Sequence, residues 1–156
     1  MDVICVRHAT AEDTAPRDRE RALTLEGRRE SRELGARLLR EGIAPELVIA
    51  SPFVRAVQTA ELMAATMGYV GPLRLSRALR PESPPDGVVE LLASLEGVTR
   101  VILVAHEPVL SSVCLALLGR GKLKGSDGLR RAEAVALDWQ PPVPGTARLT
   151  WRSTGP

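Results

Sequence analysis

Two short aliphatic runs, each followed closely by a histidine, constrain the fold of this chain more than any other feature. The run 3–6 leads through Arg7 to His8, and the run 101–105 leads directly to His106; the 156 residues contain no other histidine. Runs of this length and composition are typical of strands that are buried on both faces in a parallel sheet covered by helices. Because such sheets bind ligands at the carboxyl ends of their strands, we expect the two histidines to share one site.

A third aliphatic run, 47–50, ends in Ser51-Pro52, and Arg55 follows three residues later. If Ser51 caps a helix and Pro52 is its first residue, Arg55 lies in the first turn. The positive end of the helix dipole disfavours a cation there, whereas the free N–H groups of a helix start suit phosphate or sulfate. Arg7, at the end of a buried strand, also needs solvent or an anion. Two histidines and two arginines are therefore predicted to surround an anion, although an Arg55 turned sideways to a carboxylate fits its position equally well.

The rest of the chain continues an alternation of strands and helices. Helices are predicted from Thr24 as N-cap to near Gly42, from Pro52 to about Met67, from about Asp86 to Leu95 and from Pro108 to Gly119. Proline, glycine and charged residues predict loops at 9–21, 80–85 and 119–128, and a weak strand is expected near 73–75. Residues 133–139 and 147–151 are predicted to form an antiparallel hairpin at one edge of the sheet. The predicted fold is a three-layer α/β/α sandwich, with a mostly parallel central sheet and an antiparallel C-terminal edge strand, in a single domain spanning 1–156.

Composition excludes several classes of function. The net charge of +2 arises from mixed charges along the whole chain, and only 3% of the residues are aromatic, so neither a basic stripe nor a stacking surface for nucleic acid is expected. No apolar run approaches the length of a membrane span, and no leader segment is recognisable, which favours the cytoplasm and no membrane partner. Cys5 and Cys114 are predicted to be small buried hydrophobes, because no metal-ligand spacing is present. No metal and no cofactor are predicted.

Four segments together resemble a known family, the histidine phosphatase superfamily, also called phosphoglycerate mutase-like. In chain order they are VRHA (6–9), RALTLEG (21–27), SPFVRAVQTA (51–60) and AHEP (105–108). The short chain, and RHA in place of the RHG signature, resemble the SixA-type phosphohistidine phosphatases within that superfamily. The order of all four segments is far more specific than the RHA tripeptide alone.

The resemblance implies a role for each basic residue of the predicted site. His8 would be the nucleophile that takes the phosphoryl group and forms a phosphohistidine, which water then hydrolyses. Arg7 and Arg55 would hold the phosphate oxygens, for which the planar guanidinium group is well suited. His106 would stabilise the transferring group, and Arg21 matches a basic position near the phosphate pocket.

This chain departs from the family pattern at the general acid. Many relatives place a carboxyl group after the third strand to protonate the leaving oxygen, and Glu82 is the nearest candidate, followed by Asp86 and Glu107. All three are equally compatible with solvated surface charges. A P–N bond to an imidazole is labile and has less need of such an acid.

The sequence therefore predicts a phosphatase that acts through a phosphohistidine on His8, with phosphohistidine on a protein as the favoured substrate. The chain has little room for the closed lid that a mutase needs, which favours hydrolysis. A phosphatase of small phosphorylated metabolites and a non-catalytic phosphate-binding module remain as alternatives. A dinucleotide-binding domain is disfavoured, because no GxGxxG follows the first strand.

Overall fold

The computed structural model describes residues 1–119 and 128–153, so most of the predicted loop 119–128 lies outside the described residues. In these ranges the strands are β1 (Asp2–Arg7), β2 (Leu47–Ala50), β3 (Leu73–Leu75), β4 (Arg100–Ala105), β5 (Ala134–Asp138) and β6 (Arg148–Arg152). The α-helices are α1 (Leu25–Arg40), α2 (Val54–Thr66), α3 (Pro85–Ala93) and α4 (Val109–Leu118). None of these described helices combines the length and apolar character that crossing a bilayer demands.

The strands form one sheet in the order β3-β2-β4-β1-β5-β6. The first four of these run parallel, and β1 and β4 are neighbours at the centre, with Arg7 opposite Ala105. Strand β5 is antiparallel to β1, and β6 is antiparallel to β5. The mostly parallel sheet is therefore confirmed, and the antiparallel part is a pair of strands, of which β6 forms the edge.

Helices cover both faces of the sheet because successive strand residues point to opposite sides. Ile4 packs in a cluster with α1 and α2, whereas Cys5 packs in a second cluster with α3 and α4. Each fully buried aliphatic side chain in these clusters, such as Leu34 and Leu38 of α1, contributes about 1.5–3 kcal/mol. The three-layer α/β/α sandwich is confirmed, and Cys5 and Cys114 are both free and buried, as predicted.

Two local predictions differ from the structure near the carboxyl edge of the sheet. Helix α2 begins at Val54 with Phe53 as its N-cap, so the prediction that Ser51 caps this helix and Pro52 opens it is wrong. The backbone of Ser51 still continues the strand, because its N–H donates to Val104 O. The predicted loop 9–21 also contains a short 3-10 helix, Asp18–Glu20. The capping role of Thr24 is confirmed by its bond from Gly27 N, at 3.0 Å.

Candidate active site

The two histidines lie side by side at the carboxyl ends of the central strands. His8 follows β1 and donates its backbone N–H to Ala105 O at 2.9 Å, and His106 follows β4 directly. The ring centroids are 5.1 Å apart, and both side chains are buried. The parallel register of β1 and β4 therefore brings together the two residues that the sequence placed in one site.

Hydrogen bonds fix which ring nitrogen of His8 carries the proton. Nδ1 lies 2.7 Å from Ala9 O, and a carbonyl oxygen only accepts, so Nδ1 is protonated and Nε2 keeps its lone pair. The Nε–H of Arg55 donates to that Nε2 at 3.3 Å. Burial lowers the pKa of His8 to about 4; the bond to Ala9 opposes this shift, and the charges of Arg55 and Arg7 add to it. The imidazole is therefore neutral at neutral pH, with Nε2 facing a guanidinium group.

The segment after His8 is held by α1 and α2. Ala9 N donates to Thr59 Oγ1 at 3.0 Å, and the same hydroxyl donates to Arg55 O at 2.7 Å. Thr10 donates its backbone N–H and its hydroxyl to the two carboxylate oxygens of Glu30, at 2.8 and 3.0 Å. These bonds fix the position of the Ala9 carbonyl, which in turn orients the His8 ring.

Arg55 occupies the first turn of α2 and is only 4% exposed. Besides its bond to His8, it donates through Nη1 to Asp18 O at 2.9 Å and through Nη2 to Asp18 Oδ2 at 3.2 Å. Its guanidinium carbon lies 5.1 Å from the centroid of the Phe53 ring. The carboxylate partner considered for Arg55 from the sequence is thus present, and the same side chain also reaches the histidine.

Arg21 lies at the rim of this arrangement. Its Nε donates to Asp18 Oδ1 at 2.8 Å, and its Nη1 donates to Glu12 O at 3.0 Å. Arg21 does not contact His8, but its charge helps to lower the pKa of that imidazole. The structure therefore places Arg21 beside the predicted site, linked to Arg55 through a shared carboxylate.

Arg7 and His106 each present a buried nitrogen without a hydrogen-bond partner among the described residues: Nε of Arg7 and Nδ1 of His106. Arg7 is anchored through Nη1 to Leu129 O at 2.8 Å, while Nε2 of His106 lies 2.8 Å from Ser51 Oγ. Burial lowers the pKa of His106 to about 3, and the neighbouring His8 adds to that shift. Since buried polar groups normally have partners, these two nitrogens identify where a polar ligand would bind.

The candidate acids lie in different surroundings. Glu82 is exposed and forms no hydrogen bond or ion pair with another described residue. Burial lowers the pKa of Arg55, and the charge of Asp18 and, more weakly, that of Glu82 oppose this shift. Glu82 therefore acts on the site only through its charge. Asp86 is exposed in the first turn of α3. Glu107 accepts a bond from Leu129 N at 3.0 Å and so supports the backbone that anchors Arg7.

Sequence reasoning missed Asp18 and the contact between Ser51 and His106. Asp18 precedes Arg21 by three residues, a spacing that suits an ion pair in a helical turn, but the many charges of the loop concealed it. The sequence pattern predicts that Ser51 caps a helix. The Ser51 hydroxyl accepts a long hydrogen bond from Phe53 N, at 3.3 Å, but the N-cap of the helix is Phe53.

Two neutral imidazoles, the buried guanidinium group of Arg55 and the half-buried one of Arg7 meet at the carboxyl edge of a parallel sheet. This arrangement suits a phosphoryl group, whose three equatorial oxygens need positive charge and donors. No group of three or more His, Cys, Asp or Glu side chains suited to holding a metal ion occurs within the described ranges. The arrangement thus points to a class of protein that handles phosphoryl groups.

Comparison with known proteins identifies the family. The model of the histidine phosphatase superfamily (branch 1) matches residues 3–81, half of the chain. The phosphohistidine phosphatase SixA of Escherichia coli strain K12 is 34% identical over 116 residues, which cover 70% of each protein. The structure of the protein histidine phosphatase SixA complexed with tungstate has a TM-score of 0.88 and 26% identity, covering 97% of this chain and 96% of that one. A second SixA structure, from Agrobacterium tumefaciens, has a TM-score of 0.86 and 22% identity, covering 98% and 97%.

The chain belongs to the histidine phosphatase superfamily, and it is a phosphatase, a hydrolase of phosphoryl groups. The resemblance to SixA-type proteins noted in the sequence is confirmed. The family match includes His8, Arg21 and Arg55 and ends before Glu82 and His106.

Proposed function

We propose that this phosphatase hydrolyses phosphohistidine on a protein substrate, through a phosphohistidine of its own at Nε2 of His8. The observation that carries the proposal is the state of the His8 ring. Its Nδ1–H is bonded to Ala9 O, its Nε2 keeps a lone pair, and a buried guanidinium group adjoins that nitrogen. A neutral imidazole nitrogen held in this way is a competent nucleophile.

The proposed reaction has two displacements at phosphorus. In the first, the Nε2 lone pair of His8 forms a bond to phosphorus while the bond from phosphorus to the substrate nitrogen breaks, and that nitrogen keeps the electron pair. In the second, a water oxygen displaces Nε2 and the water gives up one proton to solvent, which balances the proton taken by the leaving nitrogen. This step releases inorganic phosphate and restores neutral His8. Arg55 would turn its Nε–H from Nε2 of His8 to a phosphoryl oxygen, which frees the lone pair for attack. Arg7 and His106 would donate to the phosphoryl oxygens in both steps, since phosphoryl transfer depends mainly on positioning and electrostatic stabilisation.

The ionised state of Asp18, whose carboxylate contacts Arg55 in the site, favours a substrate whose leaving group is an imidazole. Burial opposes ionisation of Asp18, but the hydrogen bond and charge of Arg21, together with those of Arg55, outweigh it and hold the pKa of Asp18 below its ordinary value. A carboxyl group that stays ionised is a poor general acid. The nitrogen of a departing imidazole takes up a proton readily from water, so a P–N bond suits this site well.

Hydrolysis of a small phosphorylated metabolite is the second candidate, because the donors around His8 would bind a phosphoryl group whatever its leaving group. The charge of Glu82 acts on Arg55, so this carboxyl group lies in the neighbourhood of the site, where an acid for an oxygen leaving group would be needed. The role of Glu82 as general acid therefore stays a prediction. The expected cytoplasmic location, and the expectation of neither nucleic acid nor membrane as partner, also stay predictions.

Replacement of the nucleophile tests the proposal directly. We expect His8→Ala to lose on the order of 10⁴-fold or more in turnover of a phosphohistidine peptide and of phosphomonoesters. Incubation with a labelled phosphoryl donor would leave acid-labile label on the wild-type protein and on His106→Gln, but not on His8→Ala. Unchanged turnover in His8→Ala would overturn the mechanism. Phosphate binding without any labelling of the wild type would instead favour a non-catalytic module.

A further inference from the structure

Asp18 contacts Arg21 and Arg55 on the outer side of the candidate site. Its Oδ2 accepts from Arg55 Nη2, its backbone carbonyl accepts from Arg55 Nη1, and its Oδ1 accepts from Arg21 Nε. The side chain of Asp18 is 60% exposed, whereas that of Arg55 is only 4% exposed. A surface carboxylate thus reaches inward to a buried cation.

We infer that Asp18 is a positioning residue, which holds the guanidinium plane of Arg55 so that its Nε–H lies beside Nε2 of His8 and can pass from that nitrogen to a phosphoryl oxygen. This inference rests on the proposed function of His8. Each nitrogen of the Arg55 guanidinium group has one partner: Nη1 and Nη2 are bonded to Asp18, and Nε is bonded to His8. Because the group is planar, two bonds on one side determine the direction of the third.

Arg21 holds the carboxylate of Asp18 in place. One carboxylate oxygen of Asp18 is bonded to Arg21 and the other to Arg55, so the carboxylate has little freedom to rotate. Arg21 is anchored in turn by its bond to Glu12 O. Arg21 therefore acts on Arg55 through Asp18, in addition to any contact with the substrate.

The charge of Asp18 makes this role distinguishable from a role in binding. A carboxylate beside a phosphate site repels the phosphate dianion, so it weakens binding in the ground state. Its benefit must lie in the orientation of Arg55 during transfer, where small misplacements are costly. Removal of the charge should therefore slow turnover without weakening the binding of phosphate.

The test compares Asp18→Asn and Asp18→Glu with Asp13→Asn, which removes a charge from an exposed position on the same loop. We expect Asp18→Asn to lower kcat for a phosphohistidine peptide about 10- to 100-fold, with the Kd for orthophosphate unchanged or lower by a few fold. Asp18→Glu should recover part of the lost kcat, and Asp13→Asn should match the wild type within about twofold. The Kd values can be read from the NMR signals of the two imidazoles. Thermal unfolding identifies any variant that does not fold.

Two results would overturn the inference: a kcat for Asp18→Asn equal to that of Asp13→Asn, or equal losses in kcat and in phosphate affinity. A further readout does not depend on turnover. The Nε–H signal of Arg55 should be sharp and protected from exchange in the wild type and in Asp13→Asn, and broadened in Asp18→Asn. If the wild type shows no turnover, the proposed function fails, and this signal alone decides the role of Asp18: an unchanged signal in Asp18→Asn refutes it.

Discussion

Arg55 donates its Nε–H to Nε2 of His8 across 3.3 Å, so a buried cation faces the nitrogen that would otherwise take up a proton. The two groups belong to elements that are distant in sequence, the end of β1 and the first turn of α2. Protonation of His8 would place two positive charges in contact within a poorly hydrated site. Burial, together with the charge of Arg55, therefore lowers the pKa of His8 and keeps the imidazole neutral over a wide range of pH.

We expect the phosphoryl-accepting form of His8 to persist well below pH 6.5. Burial is the main cause of the lowered pKa of about 4, and Arg55 and Arg7 contribute. Kinetic profiles of kcat/KM should therefore fall only as the pH approaches about 4. NMR titration of the two imidazoles, assigned with His106→Gln, checks this. An apparent pKa of 6 to 7 for His8 in the folded protein would contradict it.

The same shifts predict how stability depends on pH. The pKa values of His8 and His106 are about 4 and about 3 when folded, against 6.5 when unfolded, so the unfolded chain binds more protons as the pH falls below about 6.5. The free energy of unfolding should fall by about 1.4 kcal/mol per pH unit for each histidine between about pH 6 and pH 4. Denaturant titrations at pH 7, 6 and 5 measure this slope, and His106→Gln should reduce it. Equal stability at all three values would refute the prediction.

The sequence was sufficient to predict the pairing of the histidines, because it follows from regular structure. Two buried aliphatic runs in a βα alternation indicate adjacent parallel strands, and the register of Arg7 with Ala105 then places the next residues together. Asp18 could not be found in this way. Its contact with Arg55 depends on the path of an irregular loop between β1 and α1, where neither period 2 nor period 3.6 constrains the side chains.

Ser51 shows a different limit of the sequence argument. A serine before proline at the end of a strand fits a helix cap, and local preference alone favoured that interpretation. In the structure the hydroxyl lies 2.8 Å from Nε2 of His106, which directly follows the neighbouring strand β4, and the helix begins at Val54. A tertiary contact between two strand ends therefore outweighed a local preference.

Replacement of Arg55 by lysine keeps the positive charge but removes the planar guanidinium group and its several N–H donors. A lysine ammonium cannot contact His8 and both acceptors of Asp18 in the geometry that the guanidinium group has. We expect Arg55→Lys to lower kcat/KM by about 100-fold or more. Arg148→Lys, on the exposed edge strand β6, is the matched control and should behave like the wild type. Wild-type activity in Arg55→Lys would show that charge alone is sufficient.

Replacement of Glu82 distinguishes the two substrate classes. If Glu82 protonates an oxygen leaving group, Glu82→Gln should lower turnover of an alkyl phosphate by about 100-fold, within the range typical of general acids. Turnover of a phosphohistidine peptide should change less than about threefold, because its leaving imidazole takes a proton from water. Glu90→Gln, which removes a charge from an exposed position of α3, is the control. Equal losses with both substrates would argue against a role as acid.

Gly27 offers a test of how the segment behind His8 is supported. A Cβ at Gly27 would overlap Thr10 O, a backbone atom that cannot move without displacing Thr10, the neighbour of Ala9. Gly87 is the matched control, since it is also the third residue of a helix, α3, and its Cβ would meet Ala78 Cβ at an ordinary 3.7 Å.

We therefore expect Gly27→Ala to lower the free energy of unfolding by about 1–3 kcal/mol, because the clash outweighs the better helix propensity of alanine. Gly87→Ala should be as stable as the wild type or more stable. Because Thr10 adjoins the carbonyl that orients the His8 ring, Gly27→Ala should also lose turnover under conditions in which it remains folded. Denaturant unfolding and activity assays of both variants measure these effects. Equal stability of the two variants would mean that the segment behind His8 adjusts to the added methyl group at no cost in free energy. It would refute the inference that α1 holds the His8 ring in position.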